Sequence, residues 1–182
     1  GAYTDSMRTA LAPTAPSNFA LTPGDGEISA TWSAPTGAIG ISTYRVRWKL
    51  AGAPGFSNLA TVENATTYTV TGLQNGATYD VQVAAINAAG VGAYTDSMRS
   101  VLAPSAPSNL ALAAGDGEIT ATWSAPAGAA GISTYRVRWK LAGVSEFSDS
   151  MTVENATTYT VTGLQNGAEY DLQVAAVNAA GV

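Results

Sequence analysis

Displaced by 91 residues, the chain lies on itself without a gap. Only 18 of the 91 aligned positions differ, and two copies account for all 182 residues. A unit this long does not need neighbours to bury its apolar face, as the shorter units of a solenoid do. It matches an autonomous small domain. The differences concentrate in one stretch, APGFSNLA at 53–60 against VSEFSDSM at 144–151. Substitution costs least in an exposed loop or at a sheet edge, so this stretch is placed there.

Within each copy the dominant period is two. Ile28, Ala30 and Trp32 alternate with Glu27, Ser29 and Thr31, and Tyr44, Val46 and Trp48 alternate with Arg45, Arg47 and Lys49. Tyr68 sides with Val70, and Tyr79 with Val81, Val83 and Ala85. Such alternation marks half-buried antiparallel strands. Turn residues separate them at Gly24-Asp25-Gly26, Pro35-Thr36-Gly37, Gln74-Asn75-Gly76 and Ala89-Gly90. Strands are expected near 18–22, 27–32, 43–49, 57–61, 67–71, 78–86 and 93–100, and the second copy repeats them 91 residues on. Short strands at this spacing predict an all-β sandwich.

The residues also carry a family resemblance. The succession Pro16, Phe19, Trp32, Pro35 and Tyr44-Arg45-Val46, followed by TVTGLQNGATYDVQVAAINAAGVG, resembles a fibronectin type III domain in its bacterial tandem style. Leu73 to Tyr79 is similar to the tyrosine corner of that family, in which a phenol tethers the chain crossing between the sheets. Asn75 stands where many members carry proline, and Asn-Gly still turns the chain well. The resemblance implies two tandem immunoglobulin-like β-sandwiches. The proline-bearing spacer VLAPSAP at 101–107 favours extended backbone, so a rod-like arrangement is expected.

The phase of the repeat sharpens this reading. GAYTDSMR stands at residues 92–99, where it forms the seventh strand, and again at residues 1–8, ahead of the first strand. The expected divisions are therefore 1–12, a last strand and linker belonging to a preceding repeat; 13–103, a full domain; and 104–182, a domain without its own seventh strand. The sixth strand of that second domain is expected to present an open edge, a template for strand addition. Tyr3, Thr4, Asp5, Ser6, Met7 and Arg8 are the candidate donors. Tyr170, Leu172, Val174 and Ala176 mark the candidate acceptor. Head-to-tail donation of this kind does not close on itself and builds a filament. An excerpt from a longer array explains the phase equally well.

Composition bounds the chemistry. Cysteine and histidine are absent, which removes disulfides, thiolate chemistry and the commonest general base and metal ligand. Asp25 with Glu27, and Asp116 with Glu118, fall short of the six or more oxygens that calcium takes, so no metal and no cofactor is expected. No catalytic residue is identified, and the chain is read as not an enzyme. The net charge of −5 disfavours a nucleic-acid partner, and no apolar run reaches the length of a membrane-spanning helix. Arg45, Arg47 and Lys49 form an outward row facing Asp80 and Gln82, read as cross-strand pairing rather than a glycan- or polyanion-binding stripe. Asn64 and Asn155 open N-x-T motifs and are candidate glycosylation sites.

The function expected from this reading is a structural repeat module of an extracellular or cell-surface stalk, adhesin or filament. Its partners are further copies of itself or adjacent repeats, with a surface glycan or protein ligand as an additional class. The alternative, which the family resemblance also implies, is a spacer or glycan-binding accessory in a secreted polysaccharide-degrading enzyme.

Overall fold

The computed structural model of the chain describes residues 9–37, 39–126, 132 and 134–182. Every regular element among them is a β-strand, and the chain divides into two compact units near residue 100.

The first unit carries β1 (Ser17–Pro23), β2 (Ile28–Ser33), β3 (Thr43–Leu50), β4 (Asn58–Glu63), β5 (Thr67–Val70), β6 (Thr78–Asn87), β7 (Gly90–Tyr94) and β8 (Met98–Val101). β1, β2 and β5 form one antiparallel sheet. β4, β3, β6 and β7 form the other, and β8 also pairs with β6. The longest ladder joins β3 to β6, from Thr43 opposite Ile86 to Leu50 opposite Tyr79. Alternation sets which side chains turn inward. Ile28, Ala30, Trp32, Tyr44, Val46, Val70, Val81, Val83 and Ala85 are all buried and fill the space between the sheets. Trp32 meets Tyr44 edge to face, ring centres 5.3 Å apart, so the two sheets are pinned by an aromatic pair.

The second unit repeats six of these strands: β9 (Ser108–Ala114), β10 (Glu118–Ser124), β11 (Thr134–Leu141), β12 (Asp149–Glu154), β13 (Thr158–Thr162) and β14 (Tyr170–Val177). The sheets are β13-β10-β9 and β12-β11-β14. Its core gathers Ala121, Trp123, Tyr135, Val137, Val153, Val161, Leu172 and Ala176, with Trp123 and Tyr135 paired at 5.4 Å.

Four asparagines explain local bends that the alternation alone does not show. Asn18 and Asn109 adopt left-handed φ values of 50° and 53°, and the register of β1 on β2 shifts at that point. Their Nδ2 atoms donate to Ser33 Oγ and Ser124 Oγ, both at 3.2 Å. Asn tolerates this conformation where β-branched residues do not, so it marks the bulge in both copies. Asn64 and Asn155, just after β4 and β12, do the same at 51° and 53°.

The seventh strand differs from expectation. It is not one run over 93–100 but two, β7 and β8, interrupted at residues 95–97. The reason lies in Thr95. Its N–H donates to Val83 C=O at 2.8 Å, but Val83 N–H donates to the Thr95 hydroxyl at 3.1 Å rather than to a main-chain carbonyl. A side chain takes the place of one ladder acceptor, and the backbone steps aside there.

Candidate functional site

The two copies differ most at the flank of β6 and its counterpart β14. β6 has β3 on one side and β7 with β8 on the other. β14 has β11 on one side, and among the described residues no strand lies on its second edge. After β14 comes the turn Asn178–Gly181, with reciprocal main-chain bonds of 3.0 Å, and Val182 lies beside Leu172 and Val174 of β14.

Burial follows from this difference. Val83 and Ala84 are fully buried in β6, whereas Val174 and Ala175 at the same places in β14 are half-buried. Residue types are identical and the β3 and β11 neighbours match, so the lateral strand accounts for the change. Behind the edge, Leu110 and Leu112 of β9 remain 42% and 48% exposed. Together with Arg138, Leu172, Val174 and Val182, Leu110 lines a groove of about 450 Å³.

The filled edge of the first unit shows what side chains hold a strand there. Arg47 of β3 donates twice to Gln82 Oε1, at 2.9 and 2.6 Å. Its guanidinium lies between two rings, 4.5 Å from Phe56 and 3.5 Å from Tyr94. Gln82 Nε2 donates in turn to Thr95 C=O at 2.9 Å. Asp80 accepts from Arg99 through both carboxylate oxygens, at 2.9 and 3.4 Å. That hydrogen bond, with the carboxylate's charge, holds the Arg99 guanidinium above its already high ordinary value. Finally, Ala93 N–H donates to Pro13 C=O at 3.1 Å, and a Cβ on Gly92 would sit 2.1 Å from the same oxygen. Glycine is required where the strand crosses that carbonyl.

The open edge keeps most of this apparatus. Arg138 donates to Gln173 Oε1 at 2.9 and 2.6 Å, as Arg47 does to Gln82. Phe147 covers one face of Arg138 at 4.4 Å, and Arg138 is exposed. The Asp171 side chain is 53% exposed, with Lys140 Nζ at 3.6 Å. Pro104 stands where Pro13 stands in the first copy.

Of the residues singled out in the sequence, Tyr170, Leu172, Val174 and Ala176 lie together on β14. Tyr3, Thr4, Asp5, Ser6, Met7 and Arg8 lie outside the described residues. Asn64 and Asn155 are exposed in their turns. The outward row on β3 pairs differently from expectation. Arg47 takes Gln82, but Lys49 Nζ donates to Ala53 C=O at 2.6 Å, and Asp80 is taken by Arg99 from β8. The third-strand partner could not be read from alternation on two strands. Tyr170 does act as a corner tether, its hydroxyl accepting from Gln165 N–H at 3.1 Å. Among the described residues no group of three His, Cys, Asp or Glu side chains is placed to hold a metal, and no helix is long and apolar enough to cross a membrane.

Comparison with known proteins agrees with the architecture. Residues 14–101 and 105–182 each match the fibronectin type III domain. Chitinase A1 of Niallia circulans is 31% identical over 165 residues, which is 85% of this chain and 22% of that protein. A two-domain fibronectin type III segment from chicken tenascin superimposes with a TM-score of 0.54 at 17% identity, covering 90% of this chain and 91% of that one. The chain thus spans about a fifth of the bacterial relative it matches. Six or more strands per unit, the sheet order and the paired core aromatics, repeated at a fixed period, make this chain a tandem member of the fibronectin type III family.

Proposed function

We propose that the chain is a structural repeat module of an extracellular or cell-surface stalk, adhesin or filament, in which copies join head to tail by donating residues 1–8 to the β14 edge of a neighbour. One observation carries the reading. Two units of nearly identical sequence differ by one lateral strand, and the sequence of that strand stands a second time at residues 1–8. Unmet main-chain donors and acceptors along an edge favour strand addition, and a contact between unlike surfaces propagates instead of closing. The role is mechanical: pinned sheets carry load and repeats set length.

Size-exclusion chromatography with light scattering tests it. Mass is expected to rise with concentration, and replacement of residues 1–8 by a Gly-Ser segment is expected to leave monomers. A compact monomer of the unaltered chain at every concentration refutes joining between copies.

The chitinase match supports a second reading, a spacer or glycan-binding accessory in a secreted polysaccharide-degrading enzyme. Co-sedimentation with insoluble chitin separates the two. Saturable retention favours the accessory role, and none favours the purely mechanical one.

A further inference from the structure

Resting on the glycan-binding reading and not on joining, we infer that the outer face of β3 binds an acidic polysaccharide through the guanidinium groups of Arg45 and Arg47, and that β11 repeats this face.

The charges of the chain are sorted by face. Of its eight Lys and Arg residues, Arg8 lies outside the described residues. The other seven all stand on the outer side of one sheet in each unit. Arg45, Arg47 and Lys49 alternate outward along β3, and Arg99 reaches the same face from β8 to meet Asp80. Arg136, Arg138 and Lys140 repeat the row on β11. A chain of net charge −5 that gathers its cations in this way presents a local positive field.

The row on β3 lacks the carboxylates that would neutralise it. Arg45 stands between Thr61 and Ala84, Arg47 between Leu59 and Gln82, and Lys49 beside Asp80, which Arg99 already engages. Glu63 stands opposite Thr43, and among the described residues no ion pair joins it to Arg45. Arg47 gives two N–H groups to Gln82 and is covered by Phe56 and Tyr94, so its fork is fixed while its charge is unmet. Lys49 Nζ donates to Ala53 C=O. Arg45 is the anomaly. It is half-buried, its Nε is buried without a hydrogen-bond partner, and among the described residues its side chain meets no acceptor. A guanidinium has five donors and does not shed its charge, so leaving it unmet is costly. An anion on its terminal N–H groups offsets that cost. On β11, Lys140 has Asp171 at 3.6 Å, and Arg136 and Arg138 have no carboxylate partner among the described residues.

The array selects the occupant. Alternate residues of a strand stand about 6.6–6.8 Å apart. A straight row with that step suits a linear polymer that carries carboxylates at intervals, because arginine takes a carboxylate two-pronged. A folded protein partner needs about 800 Å² around an apolar centre. Here Leu59, 60% exposed, is the large aliphatic beside the row.

The test uses the full chain and biolayer interferometry on immobilised oligogalacturonate. Saturable binding that weakens as salt rises is expected. Arg45→Gln with Arg136→Gln is expected to weaken it about tenfold, and Arg45→Lys with Arg136→Lys to recover part of the loss. Thr31→Glu with Thr122→Glu lowers the net charge equally but on the other sheet, and is expected to change binding little. Circular dichroism checks that each variant folds. Equal loss in the arginine and threonine variants means bulk charge and overturns the inference. Tighter binding of polyglutamate or of a thymidine oligonucleotide also overturns it. Retention on chitin without binding of oligogalacturonate overturns it and leaves the glycan-binding reading standing. Binding of neither overturns both.

Discussion

Trp32 and Tyr44 are the residues on which the first sandwich most depends. Trp32 is 5% exposed, touches Tyr44 edge to face, and keeps its indole N–H without a hydrogen-bond partner among the described residues. Its contribution is therefore volume and ring contact, not hydrogen bonding. Trp32→Ala is expected to destabilise this unit by about 3–5 kcal/mol. Trp32→Phe keeps a ring, loses no bond, and is expected to cost less than about 2 kcal/mol. Urea unfolding followed by circular dichroism measures both. Burial pushes the Tyr44 phenol above its ordinary value of 10.0. The folded chain then keeps a proton that the unfolded chain releases, so this contribution is intact below about pH 10 and is lost as pH climbs through the folded value. A fall in unfolding midpoint above about pH 10, shallower in Tyr44→Phe, is the expected outcome. Both aromatics were legible as core from alternation. The left-handed asparagines were not, because Asn18 sits inside a strand pattern and only the observed bulge gives its side chain a reason.

At the scale of the element, β6 and β14 form an internal control. Both arise from YDVQVAA-like sequence, and their burial diverges because one has a lateral partner. The register of Thr95 on Val83 sends the Val83 N–H toward β7, and the same geometry sends the Val174 N–H toward the open edge. Amides without a ladder partner exchange with solvent without waiting for the sheet to open. The Val174 amide is accordingly expected to exchange at least ~10-fold faster than that of Val83 in dilute protein, read by NMR hydrogen exchange. Raising concentration is expected to slow Val174 and leave Val83 alone. Equal protection at both sites would mean that another group already covers the edge. Strand identity was readable because each strand pairs a period of two with turn residues at its ends. The break between β7 and β8 was not, since YTDSM alternates no worse than its neighbours and only the hydroxyl of Thr95 reveals the step. The Asp80–Arg99 pair escaped for a related reason. It depends on how two distant segments align, which the pattern within either one does not encode.

At the scale of the whole molecule, a chain of two near-copies is expected to unfold in two steps. The copies share their core aromatics and sheet order, and among the described residues the second has no counterpart of the lateral strand that buries Val83, Ala84 and Asp80 in the first. Calorimetry is expected to show a lower transition for residues 105–182 and a higher one for 14–101. Trp32→Phe, which touches only the first unit, assigns them by moving the higher one alone. A synthetic peptide GAYTDSMR, the segment that the proposed joining donates, then supplies the decisive contrast. A ligand that binds only the folded state stabilises it by about 2.7 kcal/mol at a hundred times its dissociation constant. For a domain of this size that corresponds to a rise of about 10–20 °C. The rise is expected in the lower transition, bringing it toward the higher one, because the peptide restores to the second sandwich the strand that the first already has. A rise shared by both transitions would mean that the peptide acts on a surface common to the two copies and not on the β14 edge.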